Sequence, residues 1–144
     1  MFAADSNNIA PELYEHLVHH LAPVDLLFIG LECQGAPMSW LYGCLLPGQI
    51  VPGHDRSRRL DASDSQRALA LIRALGVGAV RIYAMGAEPW LAFLSSIDPS
   101  PDTVPRRNAD ALLAACRAEG IDIELLYGAA EGEAGSTDMV ELVF

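Results

Sequence analysis

A chain of 144 residues that is 51% hydrophobic has enough apolar material for one domain with a real core, and it is not disordered. A formal charge of -10, with nine basic residues that are all arginine, disfavours nucleic acid and anionic membranes as partners. No apolar run approaches the ~20 residues of a membrane span, and the start lacks the basic and apolar regions of a signal peptide, so a cytoplasmic location is expected.

Met1 to Ala4 reads as the last residues of a strand, and Asp5 to Asn8 as the turn that ends it. Pro11 and Glu12 suit a first helical turn. Leu13, Tyr14, Leu17 and Leu21 then form one face of a short helix that Pro23 stops. His16, His19 and His20 occupy the polar face with Glu12 and Glu15. His16 and His20 have the i, i+4 spacing that lets two imidazoles share a zinc ion, but a third ligand is missing, and a solvated face explains them.

Val24 to Leu31 is an apolar run of strand length, apolar on both alternate sets of positions, as in a parallel sheet covered by helices. It ends in Glu32, Cys33 and Gln34, at the kind of strand end where open α/β folds collect their ligands. Gly35 to Leu60 reads as a long loop punctuated by Pro37, Pro47, Gly48, Pro52 and Gly53. Trp40 and Tyr42 pin it to the body through a short helical turn. Arg56, Arg58 and Arg59 within it suit either a solvated loop or an anion. His54 has no company that suggests a role.

Ser63-Asp64-Ser65-Gln66 predicts a capping box with Ser63 as N-cap. The helix it opens buries Leu69, Ile72 and Leu75 and stops at Gly76. Ala79 to Ala84 is the next strand, followed by a short helix from Glu88 to about Ser96. A proline-rich connector leads to a helix capped by Asn108 and ending at Glu119, then a strand from Ile121 to Tyr127. Residues 128 to 138 read as a mobile acidic tail, and Met139 to Phe144 as an apolar end that suits an edge strand or a partner contact. Cys33, Cys44 and Cys116 are odd in number and form no CxxC pair, so neither a disulfide framework nor a cysteine zinc site follows. Cys116 sits on the apolar face of its helix and reads as core. Alternating strands and helices predict an α/β sheet with crossover helices.

Two stretches, FAADSNN and DLLFIGLECQGAPMSWLYG, supported by DRSRRLDASD and VRIYAMGAEPW, resemble the C-terminal half of a metallo-β-lactamase-fold metallo-hydrolase. The subgroup is similar to the metallo-domain of di-iron β-hydroxylases that act on carrier-bound amino acids. The resemblance runs from Phe2 to about Gly128, giving one half of an αββα sandwich over residues 1–128 and a tail over 129–144.

It implies that Asp5 bridges two metal ions and that Glu32 ligates one of them. Cys33, Gln34, Trp40, Tyr42, Arg58 and Arg59 would lie near the metals or in the loop over the substrate. Glutamate where histidine is commoner makes the site harder, favouring iron or manganese over zinc. The HxHxDH cluster of the family would lie upstream of Asp5 and is absent from this sequence. The two metals (iron, zinc or manganese) are therefore expected only with an N-terminal half supplied, and no complete catalytic set is expected on this chain alone.

Three functions remain open. One is hydrolysis of a small-molecule substrate by a metal-bound hydroxide once the fold is completed. The second is di-iron oxygen chemistry at the same site. The third is a metal-free α/β module for binding or homo-oligomerisation, resting on the exposed first strand and the apolar C-terminal end.

Overall fold

The structure is a computed structural model that describes residues 1–3, 7–21, 23–31, 34–57, 62–84, 100–126, 129–134 and 138–143. Strands β1 (Phe2–Ala3), β2 (Leu26–Gly30), β3 (Ala79–Tyr83) and β4 (Asp122–Leu125) form a four-stranded sheet in the order β1-β2-β3-β4. Every neighbouring pair is parallel, with Phe2 opposite Phe28, Phe28 opposite Arg81 and Arg81 opposite Glu124. Helices α1 (Pro11–Val18), α4 (Ser65–Leu75) and α5 (Val104–Ala118) lie in the crossovers. Right-handed crossovers that always step in the same direction put these helices on one face of the sheet. Shared burial agrees, since Leu71, Ile72, Leu75, Ala109, Leu112 and Cys116 form one core with Leu27, Ile29, Val80, Ile82 and Ile123.

The two faces of the sheet differ in kind. Alternate strand positions point toward the helices and are almost fully buried. The intervening positions carry Phe2 and Phe28, stacked with ring centroids 4.5 Å apart, and then Arg81, which pairs with Asp122 at 2.9 Å and Glu124 at 3.5 Å. That second face is apolar over β1 and β2 and ionic over β3 and β4, and Phe2 is 58% exposed on it.

Helix α4 begins differently from the sequence expectation. Asp64, not Ser63, is the N-cap, and its carboxylate accepts from the backbone N–H of Gln66 (3.0 Å) and Arg67 (2.8 Å). A full negative charge at the positive end of the helix outcompetes a hydroxyl for that position. Ser63 is buried instead. The helix buries Ala68, Leu71, Ile72 and Leu75, while Leu69 only borders the core. Gly76 ends it in the left-handed region at φ 65°, as expected.

Asn108 is not a cap either. Helix α5 starts at Val104 after Thr103 and carries Pro105 in its first turn, where the missing N–H costs nothing. Asn108 therefore sits inside the helix, and its side chain reaches outward.

The Gly35–Leu60 segment is less irregular than its composition suggests. It contains short helices α2 (Ser39–Tyr42) and α3 (Pro52–Ser57) and a 3-10 turn over Gly43–Leu45. Asp55 ties them together, accepting from the Ser39 N–H at 2.9 Å and the Ser39 hydroxyl at 2.5 Å. At the other end of the chain, β5 (Ala129–Ala134) and β6 (Asp138–Val143) pair antiparallel as a two-stranded ribbon; β5 falls where a mobile tail was expected, and β6 on the apolar end that suited a strand. Among the described residues no helix is long and apolar enough to cross a membrane.

Candidate metal centre

Strand order decides which loops share an edge. β1 and β2 are hydrogen-bonded neighbours running the same way, so the segments leaving them start at the same rim of the sheet. Asp5 comes two residues after the end of β1, and Glu32 two residues after the end of β2. Both residues lie outside the described part of the chain, as do Cys33, Arg58, Arg59 and the helix expected over Glu88 to Ser96.

The described residues that follow those positions are firmly tied to the helical layer. Asn8 is 5% exposed and takes a positive φ of 49°, a conformation asparagine tolerates better than most side chains. Its amide donates to the Ser63 hydroxyl at 2.6 Å, and Ser63 itself is fully buried. Gln34 accepts from the Asn108 amide at 3.3 Å, while the Asn108 carbonyl oxygen accepts from the Ser65 N–H at 3.2 Å. Gly35 follows at φ 76°, and a Cβ there would lie 2.6 Å from Val104 Cγ1. Only glycine fits that close approach of the β2 exit to the start of α5.

These tethers converge on the start of α4. One leads there from the segment after β1, through Asn8 and Ser63. The other leads there from the segment after β2, through Gln34 and Asn108. Ser63 and Asn108 are thus partners in these bonds and not the caps expected, and Asn8 has a role beyond its turn. The available signal was the Ser63-Asp64 doublet, in which aspartate takes the cap and leaves serine for another bond.

Among the other candidates, Gln34 stands at this rim and Trp40 is half-buried in α2. Tyr42 is 45% exposed. His16 and His20 are both exposed on α1, with ring centroids 5.4 Å apart.

Among the described residues no group of three or more His, Cys, Asp or Glu side chains could hold a metal ion. Asp5 and Glu32 would add a carboxylate pair without an imidazole, a donor set that holds transition metals poorly. The described residues therefore do not by themselves make a metal site.

No family model matches the chain. Fold and sequence nevertheless define what the chain is like: a parallel α/β domain similar to part of the di-iron β-hydroxylases, which are its homologues, as the resemblance implied. The 4-amino-L-phenylalanyl-(CmlP-peptidyl-carrier-protein) 3-hydroxylase of Streptomyces venezuelae is 42% identical over 98 residues, 68% of this chain and 18% of that enzyme. The crystal structure of CmlA, a diiron β-hydroxylase from Streptomyces venezuelae, matches 99% of this chain and 25% of its own at a TM-score of 0.67 and 32% identity. A mutant structure of CmlA matches 99% of this chain and 24% of its own, with TM-score 0.61 and 33% identity. The chain thus spans about a fifth to a quarter of the length of the relatives it matches. Hydrolysis, zinc and manganese, all among the expectations, find no support in these relatives, which are hydroxylases and, in the case of CmlA, a diiron enzyme.

Proposed function

We infer that this chain is one part of a di-iron oxygenase of the metallo-β-lactamase fold, and that it brings Asp5 and Glu32 to the iron site. The observation that carries this reading is likeness to a diiron β-hydroxylase over 99% of the chain. The pairing of β1 with β2 supports it, because each carboxylate follows one of these neighbouring strands at the same interval.

When bound, the iron pair supplies the oxygen-activating chemistry. The protein's own contribution is electrostatic and positional. Two carboxylates offset the repulsion between closely spaced cations. The Asn8–Ser63 and Gln34–Asn108 bonds restrain the segments that carry them. The HxHxDH ligands come from a segment outside this sequence, for which the apolar part of the second sheet face, around Phe2 and Phe28, is the natural seat. By likeness to the carrier-protein hydroxylase, the substrate is an aminoacyl group held on a carrier protein.

The test mixes this chain with an HxHxDH-bearing segment, ferrous iron, reductant and oxygen, and offers an aminoacyl carrier protein. The expected product gains one oxygen atom with its thioester intact. Cleavage of the thioester without oxygen gain would restore the hydrolase reading. Metal-dependent turnover by this chain alone would remove the need for a completing segment.

A further inference from the structure

The segments that carry Asp5 and Glu32 leave neighbouring strands, and both are fastened to one tripeptide at the start of α4. On one side, Ser63 accepts from the Asn8 amide at 2.6 Å, and these two are the buried polar side chains among the described residues. Two positions on, the Ser65 N–H donates to Asn108 Oδ1 at 3.2 Å, while Asn108 Nδ2 donates to Gln34 Oε1 at 3.3 Å. Asn108 is held in turn by its place in α5, where Nδ2 also reaches the Val104 carbonyl oxygen at 3.2 Å. Between the two serines, the Asp64 cap fixes the end of the helix from which both bonds are made.

The leashes are short. A chain advances at most about 3.6 Å per residue, so Asp5, three residues before Asn8, stays within roughly 11 Å of it. Glu32, two residues before Gln34, stays within roughly 7 Å of its own anchor. Apolar packing would hold the two segments down as well, but without choosing a direction. A satisfied buried hydrogen bond specifies one arrangement, because any other leaves a polar group unpaired. The polar pairs therefore add placement to the cohesion that the core already supplies.

We propose that Ser63 and Asn108 are positioning residues, and that through them the start of α4 sets the separation of the two carboxylates. The proposal rests on the reading of Asp5 and Glu32 as iron ligands and names what places them. Ser63 acts through Asn8 and Asn108 through Gln34, and neither is assigned a bond to iron.

The test compares the full chain with its Ser63→Ala and Asn108→Leu variants by two readouts. The first is backbone hydrogen exchange of the chain alone, followed by mass spectrometry over residues 4–9 and 31–36. Ser63→Ala should quicken exchange over 4–9 by about threefold or more and spare 31–36, and Asn108→Leu should do the reverse. If Ser63→Ala does not fold, Asn8→Gly takes its place, since it removes the same bond and suits the left-handed backbone at φ 49°. The second readout is iron in the complex with an HxHxDH-bearing segment. Each variant should weaken iron binding by about tenfold or more and change the Mössbauer spectrum of the pair, while Asn108→Leu melts close to the unaltered chain. Exchange that stays unchanged, or that rises equally at both exits in either variant, would overturn the proposal. So would variants that keep the iron affinity and spectrum of the unaltered complex, or an iron loss that only follows a fall in melting temperature. An unaltered complex that takes no iron fails the reading of the site itself, and this proposal with it.

Discussion

Helices α4 and α1 are neighbours in one layer and both are amphipathic, yet only α4 is anchored. α4 has a carboxylate cap at its start, a left-handed glycine at its end and four buried side chains. α1 starts at Ala10 without a side-chain cap and leaves Leu13 and Leu17 in solvent. The difference follows from position. α4 crosses from β2 to β3 and packs between two other helices, while α1 lies over the edge strand β1 and, among the described elements, packs chiefly against α4. An apolar periodicity therefore fixes the type of an element without saying how much of its apolar face the same chain will cover.

Substitutions that separate the two helices sharpen this contrast. Ile72→Ala in α4 removes a fully buried side chain and should cost about 2–5 kcal/mol in urea unfolding. A cost under about 1 kcal/mol would mean that α4 is not the centre of the core. Asp64→Ala leaves two helix N–H groups without their acceptor and should cost about 1 kcal/mol. Had Ser63 been the cap, this change would be close to silent. Leu17→Glu in α1 should alter stability by no more than about 0.5 kcal/mol, since the site is exposed.

The smallest effect concerns the tie from α4 to the end of α5. Arg73 Nε donates to Glu119 Oε2 at 3.1 Å, and this hydrogen bond, with the attraction of the paired charges, holds the Glu119 carboxyl below its usual range and raises Arg73. A lowered carboxylate contributes stability above its unfolded titration range and loses it as pH falls through the folded one. Glu119→Gln should therefore melt slightly lower than the native chain at neutral pH, and the two melting temperatures should converge in acid. The pair is open to solvent, so the gap should also narrow with salt.

Much of the fold was legible because burial imposes simple patterns. The apolar runs around Phe28 and Val80 are strands, and Gly76 does stop α4. What was misread involved polar residues whose partners are distant in sequence. Ser63 bonds Asn8 and Asn108 bonds Gln34, and no local pattern reveals such pairs. Strand β5 was hidden because AAEGEA has no β-branched residue and finds its partner only in DMVELV. For the metal site, the sequence named Asp5 through resemblance alone, and Glu32 through both its strand end and the resemblance. The structure adds that β1 and β2 are parallel neighbours and that the segments after them are tied to the start of α4.

The most direct measurement is the iron bound by this chain when combined with an HxHxDH-bearing segment, set against the same complex carrying Asp5→Asn or Glu32→Gln. The account predicts about two irons in the unaltered complex, as a dinuclear site requires, and a loss of at least about one in each variant. Full iron retained by both variants would contradict it.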